Sequence, residues 1–139
     1  MSSRSGCDVL VAGTASDSHT WNLIFLQLFC EERGHRVVNL GPCVPDALLV
    51  AETTALCPEL VVLSSVNGHG FTDGLTAITA LRPRAPRPRV VLGGKLGVDG
   101  RRHADRTDAL LRAGFDAVFD DGDLTAFDAF LRLPQAVAS

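Results

Sequence analysis

The apolar residues of the chain come in short unbroken runs, and longer stretches between the runs repeat them every three or four positions. The runs are Val9 to Ala12, Arg36 to Gly41, Leu60 to Ser65, Arg89 to Gly94 and Asp116 to Phe119. An apolar run without alternation predicts a strand covered on both faces. The stretches between predict helices over Trp21 to Cys30, Asp46 to Leu56, Thr72 to Leu81, Ala104 to Ala113 and Leu124 to Leu131. Trp21, Ile24, Phe25, Leu28 and Phe29 carry the helical spacing of the first. Gly34 and Gly114 supply helix stops, and Asp46 and Asp123 are good capping types. The tail from Pro134 reads as frayed.

Five strands alternating with five helices imply a parallel sheet with helices on both faces. For 139 residues the expected arrangement is an α/β, flavodoxin-like (Rossmann-like) three-layer fold with strand order 2-1-3-4-5. There is no internal repeat, so a single domain over 1–139 with a core of about 7–132 is expected. Ligands of open α/β sheets bind beyond the carboxyl ends of the strands, at the switch point between strands one and three. Those ends carry Gly13 to His19, Gly41 to Pro45, Ser64 to Gly70, Gly93 to Gly97 and Asp120 to Asp123. Four of the five loops are rich in Gly, Ser or Asn, which leaves room for a bulky ligand to approach the backbone. The run Arg82-Pro83-Arg84-Ala85-Pro86-Arg87-Pro88-Arg89 lies at the opposite end of the sheet, as a stiff, solvated connector rather than an anion site.

Composition narrows the function classes. A net charge of -3 gives no general attraction to nucleic acid or to an anionic membrane. No apolar run approaches the roughly 20 residues of a membrane span. Met1 to Gly6 lacks a signal-peptide core, so a cytoplasmic location is expected. Cys7, Cys30, Cys43 and Cys57 form no Cys-x-x-Cys pair, against a zinc or redox motif. Cys30 and Cys57 lie in helical patterns and read as small core residues.

The chemistry of interest sits in Ser16-Asp17-Ser18-His19-Thr20-Trp21, at the exit of the first strand. A carboxylate accepting from one imidazole nitrogen fixes the tautomer and leaves the other nitrogen for a metal. Asp17 can equally cap the helix that follows, with His19 an ordinary polar residue of its first turn. A phosphate loop is disfavoured by Asp17, which is a poor neighbour for an anion. A receiver domain needs an aspartate ending strand three, where Ser64 and Ser65 stand. A hydrolase triad of Ser64, His19 and Asp17 lacks a nucleophile-elbow sequence. One histidine cannot close a zinc site, which takes four ligands. It suffices as an axial ligand to a metal already held in a macrocycle.

Asp17-Ser18-His19, then Ser64-Ser65-Val66, then Gly93-Gly94 resembles the cobalamin-binding signature Asp-x-His-x-x-Gly … Ser-x-Leu … Gly-Gly. The chain is similar, from about Val9 to Leu131, to the small (sigma) subunits of glutamate mutase, also called methylaspartate mutase. The resemblance implies an adenosylcobalamin cofactor over the carboxyl edge of the sheet, with His19 as the lower ligand of cobalt. Asp17 would orient His19, with Ser16, Ser18 and Thr20 around it. Ser64, Ser65 and Val66 would line the pocket of the displaced nucleotide tail, and Gly93, Gly94, Lys95, Leu96 and Gly97 would pass beside it. The implied partner is a large catalytic barrel subunit, and the implied reaction is the radical rearrangement of glutamate to 3-methylaspartate. Three positions depart from the pattern: Asn22 replaces a glycine, Val66 a leucine, and Asp120-Asp121-Gly122-Asp123 a Pro-Pro-Gly-Thr.

Two rival functions are a corrinoid carrier for methyl transfer and a non-catalytic interaction protein that has lost cobalamin. The carrier class usually has a helical cap domain before this fold, and only about seven residues precede strand one here. The polar segment Ser16 to Asn22 is expected to be mobile without cofactor, for want of contacts.

Overall fold

The computed structural model describes residues 7–94, 100–120 and 123–133. Its elements run β1 (Val9–Gly13), α1 (Trp21–Glu32), β2 (Val37–Asn39), α2 (Asp46–Leu56), β3 (Leu60–Ser64), α3 (Gly70–Leu81), β4 (Arg89–Gly94), α4 (Gly100–Ala113), β5 (Ala117–Asp120) and α5 (Leu124–Arg132). The sheet has the order β2-β1-β3-β4-β5. Every neighbouring pair is parallel, as in Gly13 beside Ser64 and Ser64 beside Gly93. This is the flavodoxin-like arrangement expected from the alternating pattern. Among the described residues no helix is long and apolar enough to cross a membrane.

Alternation along the strands splits the core in two. Leu10, Ala12, Val61, Leu63, Val90 and Leu92 face one way, against α2, α3 and α4. Val9, Val11, Leu60, Val62 and Val91 face the other, against Leu23 and Cys30 of α1 and Phe127 and Leu131 of α5. Three helices thus cover one face and two cover the other. Because α1 packs on β1 and β2, and α5 brings Phe127 to Phe119 of β5, a gap remains over the carboxyl ends of β3 and β4.

Several boundaries differ from the expected ones. β2 stops at Asn39 because its side chain accepts from the Gly41 N–H and turns the chain away. α3 starts at Gly70, two residues early, after Asn67 Oδ1 accepts from the His69 N–H at the turn into it. Asp46 is the first residue of α2 rather than its cap, which is Pro45. Cys57 is exposed, not in the core. It ends α2 in the left-handed conformation at φ 49, which swings its side chain off the helical face. The outward side of α1 is also unexpected: Trp21, Ile24, Phe25 and Leu28 are exposed, and Leu23 and Cys30 are its buried contacts.

At the amino ends of the strands the arginine-proline connector is clamped rather than simply solvated. Arg82 donates to the carbonyls of Gly114 at 2.9 Å and Pro88 at 2.7 Å, and to Asp116 at 2.7 Å. Asp116 in turn accepts from the Val90 N–H at 2.7 Å.

Gly94 ends β4 at φ +114, and a Cβ there would lie 2.2 Å from the Ser65 carbonyl oxygen. Gly94→Ala should therefore cost about 2–3 kcal/mol. An unchanged urea midpoint would show that the β3–β4 crossing has more slack than this spacing allows.

Candidate functional site

The loop between β1 and α1 is folded around Asp17, whose exposure is 1%. Its Oδ1 accepts from the His19 N–H at 2.9 Å and lies 2.7 Å from the His19 ring Nδ1. Its Oδ2 accepts from the Val66 N–H, beyond the end of β3. Its own carbonyl accepts from the Cys43 N–H at 2.9 Å, in the loop after β2. One residue therefore joins the loops that leave β1, β2 and β3. The capping alternative falls: the N-cap of α1 is Thr20, and no side chain caps that end.

A carboxylate so placed ought to resist ionisation, since burial favours the neutral form. Burial does push the Asp17 carboxyl up, but the His19 and Val66 N–H groups and then the His19 ring outweigh it. The net effect holds the group below its ordinary value. An ionised Asp17 takes a proton-bearing Nδ1 as donor, which leaves the lone pair of His19 on Nε2. The His19 side chain is 58% exposed, so the imidazole stands out from the loop while its inner edge is held.

Among the described residues no group of three or more His, Cys, Asp or Glu could hold a metal ion. A lone imidazole with its tautomer fixed suits a metal whose other positions are already filled. The donor set thus fits a macrocyclic metal and does not fit a bare zinc or iron ion.

The remainder of the loop makes contacts where the sequence reading expected few. The Thr14 N–H donates to the Ser64 carbonyl at 3.1 Å. Ser16 donates through its N–H and its hydroxyl to Asp73, in the first turn of α3. Asn67 Nδ2 donates to the Ser16 carbonyl and hydroxyl, both at 3.1 Å. Ser18 and Thr20 are exposed beside His19. Asn67 and Asp73 escaped the sequence reading because their partner is 51 and 57 residues away.

Beside this loop, in the gap between α1 and α5, lies a cavity of about 440 Å³. Val62, Ser64 and Val66 come to it from the β3 side, and Val91, Gly93 and Gly94 from β4. The helices contribute Trp21, Asn22, Phe25 and Leu26 from α1, and Leu124 and Phe127 from α5. Ser64, Val66, Gly93 and Gly94 are thus brought together as the sequence suggested. Ser65 is not: it is fully buried, and its hydroxyl donates to Asn67 Oδ1 at 3.2 Å. Lys95, Leu96 and Gly97 lie outside the described residues, as does Asp121. Asp123 lines the cavity and caps α5 by accepting from the Ala126 N–H at 3.1 Å. The apolar wall from α1 and α5 was missed, since apolar residues at helical spacing read equally well as core.

A model of the B12 binding domain matches residues 7–129 of the chain. The glutamate mutase sigma subunit 1 of Haloarcula marismortui is 29% identical over 113 residues, covering 81% of this chain and 74% of that protein. A novel cobalamin-binding protein from Desulfitobacterium hafniense matches in structure with a TM-score of 0.71 at 22% identity, over 92% of this chain and 59% of that one. The methanol:cobalamin methyltransferase complex of Methanosarcina barkeri gives 0.70 at 16% identity, over 94% and 48%. The chain therefore spans about half to three-fifths of these two relatives. A CheY-like protein of Pseudomonas aeruginosa gives 0.63 at 24% identity, over 94% and 98%. Structural likeness at these identities establishes the fold alone.

Asp17 also makes a prediction about acid. Its folded-state pKa is lowered, so its stabilisation is complete above the ordinary carboxylate value of about 3.9 and is lost as pH falls through the lower folded value. Asp17→Asn should cost about 1.5–3 kcal/mol at neutral pH. In urea melts between neutral and acid pH, the gap between wild type and variant should close below about pH 4. A gap that stays constant would mean that Asp17 is not ionised in the folded protein.

Proposed function

The chain belongs to the B12-binding domain family, and from that premise we propose that it is the corrinoid-carrying component of an adenosylcobalamin-dependent carbon-skeleton mutase. The observation that carries this is the Asp17–His19 pair, with Nδ1 held and Nε2 left for a metal, next to an apolar cavity at the same edge. His19 would ligate cobalt through Nε2. Asp17 would hold the ring and raise the basicity of that nitrogen, as carboxylate partners of metal-bound histidines do. Ser16, Ser18 and Thr20 would surround the ligand. Ser64, Val66, Gly93 and Gly94 would receive the nucleotide tail, with Lys95, Leu96 and Gly97 continuing past it. Ser65 would support this wall from behind through Asn67.

When bound, adenosylcobalamin supplies radical chemistry through its cobalt–carbon bond. The chain itself binds the cofactor, orients it over the sheet edge and keeps water from the tail. Substrate contacts would belong to a separate large catalytic barrel subunit. The outward apolar stripe of Trp21, Ile24, Phe25 and Leu28, next to the cavity, supports a covered face in the working assembly. The likeness to a glutamate mutase sigma subunit supports glutamate and 3-methylaspartate as the reacting pair.

Titration with cobalamin, followed in the visible spectrum, tests this. Wild type should convert the cofactor to the histidine-ligated form, His19→Ala should not, and Asp17→Ala should bind about 10–100-fold more weakly. No spectral change with wild type, even with the large subunit present, would sink the corrinoid assignment. A change that survives His19→Ala would sink the ligand assignment.

A further inference from the structure

The hydrogen bonds that hold Ser16 converge on Asn67, whose side-chain amide has partners on both sides. Its Nδ2 donates to the Ser16 carbonyl and hydroxyl oxygens, both at 3.1 Å. Its Oδ1 accepts from the His69 N–H at 3.0 Å and from the Ser65 hydroxyl at 3.2 Å. Backbone groups fix which way round the amide lies, since the Ser16 carbonyl needs the nitrogen and the His69 N–H needs the oxygen. Asp73 holds Ser16 from a second direction, accepting from its N–H at 3.2 Å and from its hydroxyl at 2.5 Å. Ser16 is thus bracketed between the loop after β3 and the first turn of α3. Neither Asn67 nor Asp73 lines the cavity between α1 and α5.

The bracket matters to His19 because little apolar burial holds its loop. Ala15, Ser16, Ser18, His19 and Thr20 are all exposed. Among the described residues the His19 ring has Asp17 as its one hydrogen-bond partner. Asp17 turns the ring and ties it to Val66 and Cys43, while the chain that enters Asp17 is held at Ser16.

We infer that Asn67 and Asp73 are positioning residues for His19, and that they govern how fast the imidazole reaches the metal rather than how strongly it holds it. This rests on the corrinoid function. In the free protein the bracket keeps the loop in the arrangement that can ligate. A loop that is competent for only part of the time binds more slowly by that fraction. Once Nε2 is on cobalt the loop is held through the ring itself, so release changes little without the bracket. Asp17 acts differently: it touches the ring, so its loss changes the donor strength of Nε2 and with it release.

Stopped-flow mixing of cobalamin with an excess of the full chain, followed in the visible spectrum, separates the two roles. The rate is read where it rises linearly with protein concentration, so displacement of the cofactor's own base is a factor common to every variant. Asn67→Ala and Asp73→Ala should convert cobalamin to the histidine-ligated form about five- to tenfold more slowly than wild type. Their release rates should stay within about twofold, and the spectrum at saturation should be that of wild type. Asn67→Asp keeps the acceptor for His69 and Ser65 but has no donor for Ser16, and it should be as slow as Asn67→Ala. Asp73→Asn keeps an acceptor for Ser16 and should stay within about twofold of wild type. Asp17→Asn should release the cofactor faster, which Asn67→Ala and Asp73→Ala should not. Wild-type association rates in Asn67→Ala and Asp73→Ala, a loss carried by release, or a changed spectrum at saturation would overturn the positioning role alone. Absence of any spectral change with wild type would overturn the corrinoid function, and the positioning role with it.

Discussion

Everything at the carboxyl edge of the sheet depends on one buried carboxylate. Asp17 is almost wholly removed from water, yet it stays ionised because backbone N–H groups and an imidazole surround it. Burying such a charge without partners would cost more than the domain could spare. With them it becomes a junction. Its two oxygens and its carbonyl reach His19, Val66 and Cys43, so the loops after β1, β2 and β3 cannot move independently. Asp73 and Asn67 fasten the same loop at Ser16. The imidazole is thereby presented by a prearranged frame, and a ligand meeting it need not first order the loop.

That frame stands beside a cavity left by the uneven coverage of the sheet. Three helices close one face, while α1 and α5 only flank the other. The aromatic contacts of Phe127 with Phe29 and Phe119, at 5.7 and 5.5 Å between ring centroids, hold α5 against α1 and β5. Between the two helices lies the cavity, with Val62 and Val91 of the sheet among its lining. The same helix α1 thus closes part of the core with Leu23 and Cys30, walls the cavity with Phe25 and Leu26, and exposes Ile24 and Leu28.

This triple duty explains where the sequence was legible and where it was not. Strands buried on both faces leave unbroken apolar runs, so the five strands, their order and the edge that carries the site could all be read. A helix apolar on nearly every side has no clear inward face, and the spacing of Trp21, Ile24, Phe25 and Leu28 marked the helix without saying which side is buried. The Asp17–His19 pair could be seen as a ligand and its orienter, because two residues at that spacing within one loop interact locally. Whether Asp17 capped α1 or crossed to Val66 depends on a contact 49 residues long, and no local rule contains it. The contacts of Ser16 to Asn22 escaped for the same reason: Ser16, Asp17 and Asn22 find their partners in α3, the loop before it and β3.

The departure at Asn22 marks a physical limit on what a sequence signature can say. A glycine in a motif has two separate meanings, a backbone angle no other residue adopts or a space no side chain can enter. Gly94 has both, with its positive φ and the Ser65 carbonyl where its Cβ would be. Asn22 sits in ordinary helical geometry, so only the second meaning can apply there. Filling a space is a weaker constraint than violating an angle, because the added group can be matched by whatever enters the space. Here the added amide also engages Ser64, one of the two polar residues that close the carboxyl end of β3. The change therefore lies on the cavity side of Ser64, apart from the hydrogen bonds by which Asp17 holds His19, Val66 and Cys43, and the two halves of the site can vary separately.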